Sequence, residues 1–282
     1  MKKDSKYLGL SIFWGKAKAN HFVEIKDRIQ SKVSGWKSKV LSQSGRTVLI
    51  KSVATSLPQF YMQSLHFPAG WCSKVDKIFK DLWWGHPVHK SRKYTPKAWH
   101  AICQPKLAGG LGIRRMKEIN GAFLQKLVWL ILNNLDLLWV KFLKAKYFPW
   151  TFFLLANTKQ GASLVWQGVT KVKEDFRTHL CFLPRNGSAT SIRQDPWLPH
   201  SPSFSPSWLP GCDQTCPHRW VCDLTDMQSG EWDTALLCSI FLEDSVNQIL
   251  ERPPPDRLQL DSLIWTPDPH GKFSFKGAVG LA

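Results

Sequence analysis

The sequence predicts a mainly α protein: a multi-helix bundle, a Pro/Ser-rich linker, and a small α+β piece toward the C-terminus. Three observations predict it. Apolar residues recur at spacings of three and four through most of the first 178 residues, the period of a helix with one buried face. Serine, asparagine, proline and glycine stand at the ends of those stretches, where caps and stops belong. Strand-like apolar runs are short, and fall at 7–14, 190–197 and 261–275.

Each element follows from its residues. Residues 7–14 (YLGLSIFW) form an apolar run broken by Gly9, a strand or an extended lead-in. Asn20 can cap a helix running to about Ser34, with Phe22, Ile25, Ile29 and Val33 on one stripe. Glu24, Arg28 and Lys32 sit at i, i+4 steps on a solvated side. Ser42 caps a second helix to about Ser56. Its expected inner face is Leu41, Gly45, Val48, Leu49, Ser52, Val53 and Ser56, rich in small residues, with Ile50 pointing away. Arg46 and Lys51 flank that face, and Pro58 stops the helix. Residues 72–84 read as a third helix, with Val75, Ile78, Phe79 and Leu82 inward and Lys74, Lys77 and Lys80 outward.

A His-, Lys- and Pro-rich loop (86–97) follows, then a glycine turn at 105–113 (PKLAGGLGI). That turn lacks both the Gly-Lys-Ser/Thr ending of a P-loop and the third glycine of a dinucleotide fingerprint, so it reads as structural. A long helix at 115–134 places Met116, Asn120, Phe123, Leu127 and Ile131 on one side and becomes apolar nearly all round, which implies deep burial. Residues 139–147 and 162–179 are further helical stretches, and 190–197 a short strand and turn. Prolines and serines crowd 196–217, which reads as a linker or an irregular loop. Beyond it, 232–249 reads as a helix, and 261–265 with 271–275 as two strands joined by a Pro/His/Gly turn. The expected division is 1–66, 67–195, 196–218 and 219–282.

At 282 residues the chain can hold one large or two modest domains with real cores. No apolar run approaches the ~20 residues of a membrane span, and MKKDSKYLGL has no secretory signal, so a soluble intracellular protein is expected. The net charge of +17 is uneven. Residues 1–100 carry 19 Lys/Arg and 5 Asp/Glu (+14), residues 101–178 carry 12 and 4 (+8), and residues 179–282 carry 7 and 12 (−5). A basic surface so concentrated attracts polyanions, nucleic acid first, although a merely solubilising surface is the plainer alternative. Seven scattered cysteines do not make a disulfide framework and read as reduced thiols.

The stretch from Trp36 to Met62 follows W-K-x-K-x-L-S-x-x-G-R-x-x-L-I-K-S-V through Trp36, Lys37, Lys39, Leu41, Ser42, Gly45, Arg46, Leu49, Ile50, Lys51, Ser52 and Val53, with Pro58 and Met62 beyond. This resembles the segment downstream of the polymerase core in plant LINE-type (non-LTR) retrotransposon reverse transcriptases. Further landmarks resemble that family in order: Tyr7-Leu8-Gly9 (with Ser11 where the family has proline), Trp83-Trp84-Gly85, the glycine turn, Trp139, Val140, Lys146 and Tyr147, and the 190–197 stretch. The resemblance implies a thumb-like helical bundle, a connection region, and the opening of a zinc-binding domain near the C-terminal end.

It also implies chemistry that this sequence lacks. The family's polymerase needs adjacent aspartates to hold two Mg2+ ions, and no Asp-Asp pair occurs here, so no catalytic residue is expected. By resemblance that block lies upstream of Tyr7-Leu8-Gly9, so the chain is expected to begin after it, with the polymerase domain missing. A thumb grips a duplex through its phosphates, which Lys and Arg suit without regard to sequence. The candidate nucleic-acid-binding residues are Lys37, Lys39, Arg46, Lys51, Arg114, Arg115, Lys117 and Lys126. Cys212, Cys216, His218 and Cys222 could in principle ligate zinc, but their spacing is not that of a common finger, and no cofactor is expected in this chain. Most tryptophans, such as Trp129 and Trp139, read as core rather than as stacking platforms. The expected function is a non-catalytic retrotransposon reverse transcriptase fragment that binds RNA, DNA or their hybrid. The alternatives are an interaction or scaffold protein with an incidental basic surface, or part of a full reverse transcriptase.

Overall fold

The computed structural model describes residues 6–7, 10–11, 18–36, 41–86 and 94–281, apart from the single positions 159, 200, 202, 203, 227 and 257. The fold is mainly α. It divides into two compact units, Met1–Lys173 with Phe275–Ala282, and Glu174–Ser274.

The first unit opens with two short strands, β1 (Lys6–Tyr7) and β2 (Leu10–Ser11), paired antiparallel. Helix α1 (Lys18–Ser34) starts two residues ahead of Asn20, which therefore lies inside the helix and not at its cap. Its stripe is as the spacing predicts: Ile25, Ile29 and Val33 are buried, and Arg28 pairs with Glu24 at 2.8 Å on the open side. Helix α2 (Gln43–Leu49) is capped by Ser42, whose Oγ accepts the Gly45 N–H at 3.1 Å.

The chain then widens into a π-helical segment, Ile50–Ala54, closed by the Thr55 N–H on the Ile50 carbonyl at 3.0 Å. This corrects the face expected for the second helix. Ile50 and Ala54, at the two ends of the π segment, are fully buried, while Val48 ahead of it is 62% exposed. The exposed Ser52 and the buried Thr55 both bond back to the helix, Ser52 Oγ donating to the Val48 carbonyl and Thr55 Oγ1 to that of Lys51.

Short α3 (Gln59–Met62) leads to α4 (Ala69–Trp84), whose Val75, Phe79 and Leu82 are buried and whose Lys74 and Lys77 are exposed. After α5 (Trp99–Cys103) comes the glycine turn, tightened by a 3-10 turn at Lys106–Ala108. There Gly110 lies so close to Gln104 that an added Cβ would come within 2.1 Å of its carbonyl oxygen, so no side chain fits. Helix α6 (Met116–Asn133) is the axis of the unit, with Met116, Ile119, Ala122, Leu124, Val128 and Ile131 buried. Each such large side chain contributes roughly 1.5–3 kcal/mol. Helix α7 (Leu138–Tyr147) turns away from α6 by 86°. Helix α8 (Leu164–Arg177) carries the chain across the boundary at Lys173, and brings Trp166 into a stack on Tyr147 with ring centroids 4.5 Å apart.

The second unit has its own core of Ile192, Trp197, Leu198, Val221, Leu224, Leu237, Phe241, Val246 and Ile249. Strand β3 (Leu180–Leu183) opens it, and α9 (Cys212–Thr215), α10 (Thr234–Ile240) and α11 (Glu243–Leu250) follow. The helix expected over 232–249 is thus two helices, interrupted at Phe241–Leu242, where Phe241 bridges to Trp208. Of the two readings of 196–218, the linker is corrected and the irregular loop stands, because the stretch is mostly irregular while Trp197 and Leu198 are 1% exposed and Cys216 is buried. The backbone N–H groups of Trp197 and Leu198 both donate to the Phe204 carbonyl, at 2.7 and 2.8 Å. Prolines here set rigid turns, and the tryptophans and phenylalanine between them supply the apolar anchors.

Strand β4 (Ser262–Trp265) pairs antiparallel with β3, from Leu180↔Trp265 to Leu183↔Ser262. The strand expected at 271–275 does not form. Gly271 instead accepts the Trp265 N–H at 2.9 Å in a tight turn, and Phe275 begins α12 (Phe275–Leu281). Helix α12 belongs to the first unit and packs on α6, with Ala278 fully buried and the Phe275 ring 4.6 Å from that of Phe123. No single described helix is long and apolar enough to cross a membrane.

Candidate nucleic-acid interface

Of the eight candidate cations, Lys37 and Lys39 lie outside the described residues. Arg46 and Lys51 are committed to the fold. Arg46 Nη1 donates to the Trp83 carbonyl at 3.0 Å, at the C-terminal end of α4, where a cation complements the helix dipole. Thr47 Oγ1 accepts the Trp83 indole N–H at 2.9 Å from the same side. Gly85, at φ +68, makes this approach possible, because a Cβ there would come within 2.7 Å of Arg46 Nη1. Lys51 Nζ donates to the Leu111 carbonyl at 2.9 Å and so pins the glycine turn. The most basic motif of the sequence therefore fastens α2 to α4 and to the turn before α6.

The other four candidates are on or beside α6. Arg115 precedes its first turn and pairs with Glu118 at 3.6 Å, while Glu118 Oε2 accepts the Arg115 N–H at 3.2 Å. Arg114 is exposed, its guanidinium 5.4 Å over the Phe275 ring. Lys117 and Lys126 are both exposed, but nine helical residues put them about 180° apart around the axis. They cannot belong to one stripe. Further exposed lysines that sequence spacing did not single out as ligands are Lys141, Lys144 and Lys146 on α7. Near them Trp150 is 95% and Phe142 64% exposed, an exception to the expectation that the aromatics are core.

The ionisable groups nearby are structural. Asp76, buried on α4, accepts the Met116 N–H at 3.1 Å and so caps α6 from a neighbouring helix. Burial pushes its carboxyl up to about 6, against the pull of that N–H and of Arg115. Burial pushes the Cys72 and Cys103 thiols up to about 12, which leaves neither a nucleophile near neutral pH. In the second unit the four zinc-capable residues do not converge. Cys212 Sγ faces the Ser239 carbonyl, Cys216 Sγ that of His218, and Cys222 Sγ the Asp223 carboxylate. Among the described residues no group of three or more His, Cys, Asp and Glu is placed to hold a metal ion.

The units of the fold sharpen the charge partition. The first carries 31 Lys/Arg and 7 Asp/Glu (+24), the second 7 and 14 (−7). Fold and charge together define a mainly α protein whose larger unit is strongly cationic. No family model matches the chain. It is similar to two proteins of Arabidopsis thaliana. One, provisionally named a ribonuclease H protein, is 30% identical over 186 residues, which are 64% of this chain and 30% of that protein. The other, an uncharacterized mitochondrial protein, is 26% identical over 144 residues, 51% of this chain and 93% of that protein. The chain thus spans under a third of the length of the first and nearly all of the second.

Proposed function

We propose that this chain is a non-catalytic portion of a plant retrotransposon-derived, RNA-directed DNA polymerase of LINE type, and that it binds RNA, DNA or their hybrid without regard to sequence. The observation that carries this reading is the +24 net charge of the first unit beside the −7 of the second. Phosphate recognition by Lys and Arg is electrostatic and long-ranged, so a cationic helical surface suffices for it. The similarity to a plant protein named for ribonuclease H, an activity on nucleic acid, supports the same direction. The residues that do the work are the cations left on the surface around α6 and α7: Arg114, Lys117 and Lys126, with Lys141, Lys144 and Lys146. No polymerase step is assigned to these residues, since the sequence has no adjacent aspartate pair to hold catalytic Mg2+.

The test is fluorescence anisotropy of the full chain with labelled RNA, single-stranded DNA and an RNA–DNA hybrid across a salt series. Binding whose logarithm falls linearly with log salt, for all three probes, is the expected result. No binding at about 50 mM salt sinks the reading. A second reading, an interaction or scaffold module, draws on the exposed apolar side chains Leu138, Phe142 and Trp150. It predicts salt-insensitive self-association or partner capture in place of nucleic-acid binding.

A further inference from the structure

A cavity of about 490 Å3 in the first unit is lined by the glycine turn, the start of α6 and α12. Resting on the nucleic-acid reading above, we propose that it is a phosphate site, which takes the phosphates of a nucleic-acid strand or of a free polyphosphate. Four cations line it: Lys106, Arg114, Arg115 and Lys276. Glu118 is the one carboxylate in the lining, and it is taken up by Arg115, on the side chain at 3.6 Å and on the backbone N–H at 3.2 Å. Among the described residues no carboxylate pairs with Lys106, Arg114 or Lys276. The lining is therefore left with three uncompensated positive charges around one concave space.

Lys106, Arg114 and Lys276 are solvent-exposed, and like charges gathered around one concave space concentrate a positive potential there that favours anions. A polyvalent anion neutralises it. A univalent carboxylate neutralises only part of it, which is why the charge count favours phosphates. The geometry is prepared for this. The Phe275 ring holds the Arg114 guanidinium at 5.4 Å without neutralising it, and Arg115 is fixed by Glu118. Lys51, in turn, secures the wall of the cavity through the Leu111 carbonyl at 2.9 Å. The volume falls in the range of small-ligand sites and holds a nucleotide-sized group. Sequence reading singled out Arg114 and Arg115 but not Lys106 or Lys276, and Lys276 reaches the cavity from a helix some 160 residues beyond the other cations.

Two arms test it on the full chain, with inorganic tripolyphosphate by calorimetry and with a fluorescein-labelled single-stranded RNA by anisotropy. The variant Lys106→Gln/Lys276→Gln removes two exposed cations of the cavity. The control Lys74→Gln/Lys77→Gln removes the same charge from α4, and the melting temperatures of both are compared with the parent. The cavity variant is expected to lose about tenfold or more in tripolyphosphate affinity, with the control within about twofold of the parent. For RNA, the cavity variant is expected to lose more than the control and to flatten the salt slope by roughly two. Equal losses in the two variants overturn the site while leaving general nucleic-acid binding standing. Failure of the parent chain to bind tripolyphosphate overturns it as well. Tripolyphosphate binding lost only in the cavity variant, with no RNA bound at low salt, sustains the site and identifies a free polyphosphate as its source. That last result overturns the nucleic-acid reading alone.

Discussion

Asn120 shows how much one side chain can settle. It is 3% exposed on α6, and its Oδ1 accepts the Phe67 N–H at 2.8 Å. Its Nδ2 donates to the carbonyls of Met62 and Leu65, at 3.0 and 2.8 Å. Both ends of the amide are thus used to bind the turn between α3 and α4 to the central helix. Asn120→Ala leaves three buried backbone groups unpaired and should cost about 3 kcal/mol or more, read as a lower urea midpoint. Asp76 makes a prediction with a pH signature. Its folded carboxyl titrates near 6, above the ordinary value of 3.8, chiefly because it is buried. The protonated acid is therefore the form the fold prefers. That contribution is full below about pH 4 and is lost as pH rises through about 6. Asp76→Asn, which keeps an acceptor for Met116, should flatten the melting temperature between pH 4 and 6 and raise stability at pH 7 by roughly 2–3 kcal/mol. Asp261 behaves oppositely. Burial would raise its carboxyl, but Arg185, Gly187 and Ala189 N–H groups and the Thr190 hydroxyl donate to it and hold it below the usual range. Spacing placed Asn120 on an inner face, yet its partners are 53 to 58 residues away, so its role could not be read from sequence.

Among the elements, those whose burial follows from one period were legible. Helices α1 and α4 carry their buried residues where i, i+3 and i+4 spacing puts them, whereas in α6 Met116, Asn120 and Ile131 are buried as expected but Phe123 and Leu127 are half-buried and Ile119, Leu124 and Val128 take inner places. The second helix was legible only as far as its cap. Ser42 is at the predicted position, but beyond Leu49 the π turn replaces the 3.6-residue repeat and Ile50 turns inward. The Pro/Ser-rich segment misled for a different reason: composition reports chain stiffness, whereas Trp197 and Leu198 decide burial. The basic motif was legible as a set of positions and illegible as a role. Guanidinium and ammonium groups serve a backbone carbonyl as readily as a phosphate, and only the distances from Arg46 to Trp83 and from Lys51 to Leu111 tell which. The pair Arg46→Gln/Lys51→Gln should therefore lower stability by about 1–3 kcal/mol. Its RNA affinity in low salt should stay close to that of the Lys74→Gln/Lys77→Gln variant. A large affinity loss without destabilisation would reverse that assignment.

For the whole molecule, the charge partition was visible in sequence, but its border was not. The sequence places the change of sign near residue 179, whereas the structure places the unit border at Lys173 and returns residues 275–282 to the basic side. Lys276 changes sides with them. Removal of residues 275–282 should lower the stability of the first unit, since it takes Phe275 from the ring of Phe123 and the buried Ala278 from α6. Near-ultraviolet circular dichroism and thermal melting would show it, and an unchanged melt would mean that α12 is dispensable. The same arrangement has a consequence for the order of events during synthesis. A ribosome releases residues 174–274 before it releases α12, so the acidic unit is complete in sequence while the basic unit still lacks a helix. The nascent basic unit must wait with part of α6 uncovered, and Lys276 joins the cavity only when that last helix has emerged.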